Sequence, residues 1–393
     1  MGCLFVKFDA LNSNSRMQFI GREIAGFFVG NCARLLYAGM FLIATVSLLV
    51  SGQEQRPDNG DRGPALAASI NGPGGVAVDG DGNLFVVERN GFRIRRVDVR
   101  TGTISTVAGN GKQCCFKEGS PADSSSLRYP VSVALDSRRN IYVADTLASI
   151  RRVDAKTGFM TTIVREGPAS YRSNPGKAPS FEDSEQIEGV AINPDDPKGV
   201  LYAIGGLGHL YRIYDTSIAI VPIADRSVSI HDPHVVSSID PVGVAVDTVG
   251  NLFIADYKNC RIHRIEAGSN VISTIAGNGV CKSSGDGGPA TSATVDHPVA
   301  IAVDGTGNLY FTDDAPSCVR RIDAQTGIVS AIPGTCEIRN GQQRGPSGLA
   351  VDSRGNLYFT LWVSNLVKKL DAMTGVVTTV AGNGLPNRRD QIQ

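Results

Sequence analysis

The sequence has little charge and no surplus of either sign. Its 38 basic residues are matched by 38 acidic ones, and charged residues make up only 19% of the 393. A nucleic-acid-binding protein normally shows a basic excess, so this balance excludes a chain whose main partner is a polyanion and predicts no nucleic-acid partner. Catalytic signatures are missing as well. There is no G-x-S-x-G, no H-E-x-x-H and no P-loop. No C-x-x-C pair is present for a zinc ribbon or a thioredoxin-type site. The glycines of Gly205-Gly206-Leu207-Gly208 lie in a strand-like run rather than ahead of a helix, which excludes a dinucleotide site there. There is one tryptophan, Trp362, and only five histidines. What is abundant is apolar and flexible material. Hydrophobic residues reach 42%, enough to exclude wholesale disorder. The 45 glycines are about 11% of the chain, against a usual ~7%.

The N-terminus stands apart. Residues 35–50 form an unbroken apolar run preceded by Arg34 and, further back, by Lys7, Arg16 and Arg22. That order of basic and apolar regions predicts a signal peptide or signal anchor over residues 1–52, with cleavage near Gly52 as the simpler reading. Either version places the rest of the chain outside the cytoplasm, secreted or periplasmic, because the basic flank stays inside. A membrane partner is expected only if the signal is uncleaved.

From residue 73 one unit recurs. PGGVAVDGDGNLFVVE begins at Pro73, PVSVALDSRRNIYVAD at Pro130, PVGVAVDTVGNLFIAD at Pro241, PVAIAVDGTGNLYFTD at Pro298 and PSGLAVDSRGNLYFTL at Pro346. A degraded sixth copy, EGVAINPDDPKGVLYAI, begins at Glu188. The phase markers Asp79, Asp136, Asn193, Asp247, Asp304 and Asp352 fall 48 to 57 residues apart. Each copy holds four short apolar runs separated by Asp, Asn and Gly turns, the signature of an antiparallel meander. Meanders repeated around an axis make a β-propeller. The fold is therefore predicted to be all-β, a six-bladed β-propeller of four-stranded antiparallel blades. Blades are expected near 73–111, 130–167, 188–224, 241–279, 298–336 and 346–384, after a linker at 53–72 and before a tail at 385–393. The segment NGDRGPA, residues 59–65, matches the crossing loop GDGGPA at 285–290, as if a blade preceded the first. The arginines around Ile94 and Val97 are expected on half-exposed outer strands as solvated rows.

The line P-x-GVAVD-x-x-GNLFVAD-x-x-N-x-RIRRVD, matched by Pro241 to Ile265, resembles the NHL-repeat family. The resemblance covers about 310 residues and implies a six-bladed NHL propeller of exported bacterial type, without implying one chemistry. Some relatives are lyases that hold zinc with histidines at the centre of the disc, and lactonase-type relatives hold a divalent cation on the channel.

Six cysteines follow the signal. Cys260 and Cys318 start third strands, and Cys281 and Cys336 follow the corresponding fourth strands, so bridges Cys260–Cys281 and Cys318–Cys336 are expected in an oxidising compartment. Cys114 and Cys115 are adjacent and without such a partner. For metals, Asp79-Gly80-Asp81-Gly82-Asn83 looks like the start of a calcium loop, but the other copies keep only the first Asp and last Asn, which points to turn geometry. No cofactor is predicted. Zinc or calcium remains as an alternative, with His231, His234 and His297 in loops on one face as the candidate ligands.

The loops between second and third strands vary while the frame repeats. They present Arg89, Phe92, Tyr257, Lys258 and Trp362, residue types that anchor interfaces. The sequence therefore predicts a monomeric binding or scaffold module whose loop face meets a protein, peptide or glycan ligand. The alternative is a metal-dependent lyase or lactonase-like enzyme with its site at the mouth of the central channel.

Overall fold

The VAVD runs are short, β-branched and closed by an Asp-to-Asn turn, so each forms one strand and hands over to the next within a few residues. In the computed structural model, Asp79 accepts hydrogen bonds from the backbone N–H groups of Asp81 and Asn83 at 3.0 and 2.8 Å, and from Asn83 Nδ2 at 2.9 Å. The Asn83 carbonyl in turn accepts from Asp79 N–H at 3.0 Å, closing a tight hairpin. The same Asp–Asn clasp recurs at Asp136, Asp247, Asp304 and Asp352.

The structure describes residues 60–385, except 114–115, 147–148, 165–185, 194, 197–198, 206–208, 215–216, 221–223, 226–238, 315–316, 337, 340–341 and 344–345. The chain divides into two compact units, Met1–Gln55 and Arg56–Gln393, and every described residue lies in the second. The expected signal segment, Cys114, Cys115, His231 and His234 all lie outside the described residues.

Six four-stranded antiparallel sheets follow one another along the chain. Blade 1 comprises Pro73–Val78, Leu84–Glu88, Arg93–Val97 and Ile104–Ala108. Blade 2 comprises Pro130–Leu135, Ile141–Asp145, Ser149–Val153 and Phe159–Val164. Blade 3, the degraded copy, still forms four strands from Ile187–Ile192 to Ser217–Ile220. Blades 4, 5 and 6 begin with Pro241–Val246, Ile301–Val303 and Gly348–Val351. Their fourth strands are Val271–Ala276, Val329–Ala331 and Val377–Ala381. Short edge strands add to two blades, Ser120–Pro121 on blade 2 and Ala224–Asp225 on blade 4.

The core lies between blades rather than within them. Val86 and Val97 of blade 1 pack with Tyr358 and Val367 of blade 6, while Phe85 and Val87 pack with Val133 and Val143 of blade 2. Comparable clusters join blades 2 and 3, 3 and 4, 4 and 5, and 5 and 6. Every blade is thus buried on both faces, and the ring is closed. Small residues in the first strands let the sheets converge. A side chain on Gly348 would collide with the Gly74 carbonyl, and one on Gly243 with that of Val299.

The arginine rows differ from expectation. Arg95 and Arg320 are 0% and 1% exposed, and Arg151 is also buried. The third strand keeps an unbroken register with the second, Arg95 opposite Val86 and Arg320 opposite Phe311, so each arginine lies on a sheet face lined by buried apolar side chains. Alternation holds, but both faces of a blade pack on neighbouring blades, so the arginine on the Val86 and Val97 face is buried rather than solvated. There it meets an acid that ends the second strand: Arg95–Glu88 at 2.8 Å, Arg151–Asp145 at 3.7 Å and Arg320–Asp313 at 3.0 Å. Blade 4 substitutes His263, whose Nε2 lies 3.1 Å from Asp256. The neighbouring Arg96, Arg152 and Arg321 stay half-exposed and pair with turn aspartates.

Both expected disulfides are present, Cys260–Cys281 and Cys318–Cys336, with Cα atoms 5.3 and 4.0 Å apart. Their third-strand members are not in strictly equivalent places. Cys318 opens its strand opposite Asp313, as Arg261 does opposite Asp256, so Cys260 sits one residue earlier. That earlier position has positive φ in four blades, at Phe92, Cys260, Ser317 and Asn365. Among the described residues no helix is long and apolar enough to cross a membrane.

Candidate functional site

One repeat position governs what surrounds the central axis on the loop face. In four blades the residue after the second strand donates its backbone N–H to the residue two places before a first-strand Pro or just ahead of it. Arg89 bonds to Gly72, Thr146 to Tyr129, Tyr257 to Asp240 and Asp314 to Asp296. Trp362 follows Leu361 at the corresponding place in blade 6. A fixed backbone frame therefore presents five different side chains around one rim.

Inside the rim runs an axial cavity of about 840 Å³, walled by the first strands of all six blades. Its walls are mostly Val, Ala, Ile and Gly, with Arg89, Trp362 and Glu188 at the loop-side mouth. The Arg89 guanidinium lies 5.1 Å from the Tyr129 ring centroid and 5.7 Å from that of Trp362. Its Nε is buried and has no hydrogen-bond partner among the described residues. Phe92 supports Tyr129 from the side, with ring centroids 6.0 Å apart. A smaller hollow of about 380 Å³ shares Arg89 and is lined also by Arg128, Tyr129, Thr146, Gln113 and Gln186.

Glu188 occupies the place held by Gly74 in blade 1 and Val131 in blade 2, so blade 3 alone puts a carboxylate on this stretch of the wall. Burial raises its pKa above the ordinary glutamate value; Arg89 pulls it down and Asp240 pushes it up again. Glu188 and Arg89 feel each other without ion-pair contact.

Of the five rim residues expected from sequence, Arg89, Phe92 and Trp362 come together and Tyr257 and Lys258 do not join them. Tyr257 packs against His297, with ring centroids 4.8 Å apart, and Lys258 pairs with Asp240 at 3.2 Å. Tyr129 and Glu188 were missed. Tyr129 precedes the Pro that opens blade 2, outside the loops judged variable. Glu188 begins the degraded copy, where its departure from the repeat was the available signal.

The opposite end of the cavity carries the turn aspartates, and their oxygens are already engaged. The hydroxyls of Tyr142, Tyr310 and Tyr358 donate to Asp136, Asp304 and Asp352. Burial and the adjacent carboxylate push Tyr142 and Tyr358 up to about 12, so they remain donors. These carboxylates serve the turns. His297 Nδ1 lies 2.6 Å from Asp296 Oδ1 on the loop face, away from the axial walls.

A closed ring of four-stranded blades, with one variable rim position around an axial cavity, defines a propeller scaffold. No family model matches the chain. It is 24% identical over 294 residues, 67% of its length, to the Arabidopsis thaliana protein SUPPRESSOR OF QUENCHING 1, chloroplastic. It is 23% identical over 330 residues, 72% of its length, to NHL repeat-containing protein 2 of Gallus gallus. The chain spans 26% and 44% of those relatives. A Bacteroides thetaiotaomicron protein of unknown function superposes with a TM-score of 0.59 at 17% identity, over 80% of this chain and 72% of that one. The chain is an NHL-type six-bladed propeller.

Proposed function

We propose that the chain is an extracytoplasmic binding module that receives an anionic group of a protein, peptide or glycan ligand at the loop-side mouth of its axial cavity. The observation that carries this reading is the Arg89 guanidinium, flanked by Tyr129 and Trp362 and with its buried Nε lacking a partner. A guanidinium held between aromatic rings is oriented in advance, and its donors match a carboxylate or sulfate in plane. Tyr129 and Trp362 add flat faces suited to a sugar or an aromatic side chain. The compartment is supported by two disulfides and by the basic-then-apolar N-terminus.

The test is a screen of the whole chain against acidic and neutral glycans and against peptides with free and amidated C-termini. Acidic members should bind, and Arg89→Ala or Trp362→Ala should each weaken binding about tenfold or more, as for residues at the centre of an interface. Lys258→Ala should leave it unchanged. Affinity should rise as the pH is lowered and Glu188 loses its charge, which begins above the usual carboxylate range. Binding that is indifferent to Arg89 would remove the basis of this reading.

A further inference from the structure

We propose that Cys260, Cys281 and His297 form a redox-gated site for a soft divalent metal ion, closed while the disulfide is intact and opened by reduction. This inference is independent of the ligand at the channel mouth. The ligand atoms of the three residues all lie within 4.8 Å of one another. They come from three segments. Cys260 precedes the third strand of blade 4, Cys281 follows its fourth strand, and His297 ends the loop that leads into blade 5. A β-bridge between Cys281 and Val295 brings the last two segments side by side.

The histidine is prepared for such a role. Its Nδ1 is engaged by Asp296 at 2.6 Å, which leaves Nε2 as the free nitrogen. Asp296 is fixed in turn, its backbone N–H donating to Asp313 at 2.7 Å. A carboxylate on the far nitrogen is the usual outer partner of a metal-bound imidazole. His297 also holds φ at 44°, a left-handed conformation that a non-glycine residue keeps only where its surroundings demand it. Cys260 is buried, Cys281 is exposed and His297 is half-exposed, so an ion has a path from solvent. The second bridge provides the contrast: among the described residues, no comparable group forms around Cys318 and Cys336.

The chemistry balances with a dithiol as reductant. The dithiol supplies two electrons and two protons, the Cys260–Cys281 bond breaks to give two thiols, and the reductant closes to its own disulfide. A divalent ion then displaces both thiol protons to solvent and is held by two thiolates and Nε2. Tetrahedral zinc leaves its fourth position to water. Its bonds of about 2.3 Å to sulfur and 2.0 Å to nitrogen need ligand atoms roughly 3.5–3.8 Å apart, within reach of the observed cluster.

Cobalt(II) is the probe. It is added to the whole chain after dithiol reduction and anaerobic removal of the dithiol, with the fold monitored by circular dichroism. One equivalent should give a thiolate-to-cobalt charge-transfer band that zinc abolishes, and the oxidised protein should give none. Asp296→Asn should weaken binding about 10–100-fold, and His297→Ala at least tenfold. A Cys318→Ser/Cys336→Ser double variant should bind as the parent does once reduced. A reduced parent that unfolds or shows no band would overturn the proposal. So would a band that survives His297→Ala unchanged, or one that requires Cys318 and Cys336.

Discussion

At Asp98, Asp154, Asp323 and Asp371 a single carboxylate shapes the turn between third and fourth strands. Each accepts from the backbone N–H groups two and three residues ahead and from the threonine hydroxyl at the third. All four are held below the ordinary aspartate value. Asp371 falls furthest, to about 2, chiefly through its hydrogen bond from Lys369 Nζ at 3.0 Å, then through the Thr374 N–H. In an unfolded chain the same group titrates near ~3.9. The folded state therefore favours the ionised form. The resulting stability is complete above about pH 4 and is lost as the pH falls towards 2. Asp371→Asn keeps an acceptor for the turn but gives up the charge. The difference in melting temperature between parent and variant should narrow steadily across that window. A difference that does not change with pH would show that the Lys369 contact adds nothing.

The blade is the scale at which the sequence was most legible and, in one respect, misleading. Strands, turns and blade number could be read because each copy repeats an Asp–Asn clasp with a fixed hydrogen-bond purpose, and six repeats average out local ambiguity. The third strand was misread because one of its faces was expected to meet solvent, whereas alternation places Arg95 with Val97 on a face that packs against the neighbouring blade. The spacing held the missed clue. An acid ends the second strand six or seven residues before the inward base in four blades, as Glu88 and Arg95, Asp145 and Arg151, Asp256 and His263, Asp313 and Arg320. Burial pushes Asp145 and Asp313 above the usual carboxylate range, even beside arginine. In Asp256 burial also pulls upward, but hydrogen bonds from His263, Asn259 and the Asp240 N–H outweigh it and hold the group low. Removing one partner of such a pair strands the other. Arg320→Ala should cost about 3–5 kcal/mol in denaturant unfolding. Its half-exposed neighbour in Arg321→Ala should cost about 0–1 kcal/mol. Similar losses for both variants would mean that water reaches Asp313 and the pair is not buried in solution. The rim site was half legible for a related reason: position in the repeat identified Arg89 and Trp362, but only packing across blades brings Tyr129 and Glu188 to them.

At the scale of the whole ring, the seam between blade 6 and blade 1 uses the same contacts as joints inside the chain. Gly382 and Asn383 donate backbone hydrogen bonds to Ala65 and Ala68, as Gly277 and Asn278 donate to Ala290 and Ala293 where blade 4 meets the loop into blade 5. Gly60 lies against Ala68 as Gly285 lies against Ala293, both with positive φ. Asp61 then reaches forward to Arg95 at 2.8 Å and to Thr106, just as Asp286 reaches Arg320 at 3.0 Å. Each fourth strand stays in its own blade, so no strand is exchanged to lock the circle. Closure rests on a loop that grips the preceding blade through its backbone and the following blade through one carboxylate. If the seam is equivalent to an internal joint, Asp61→Ala and Asp286→Ala should destabilise alike, each by about 1–3 kcal/mol, the range for a charged hydrogen bond lost from a buried arginine. Both arginines keep a second acid, Glu88 or Asp313, so neither variant should prevent folding. The measurement is equilibrium unfolding in urea with tryptophan fluorescence, because Trp362 lies in blade 6 beside the seam and its ring reaches Gly72. A neutral Asp61→Ala beside a costly Asp286→Ala would mean that the ring opens at its seam before the blades unfold. In that case the Trp362 signal should also change at lower urea than the circular dichroism of the strands.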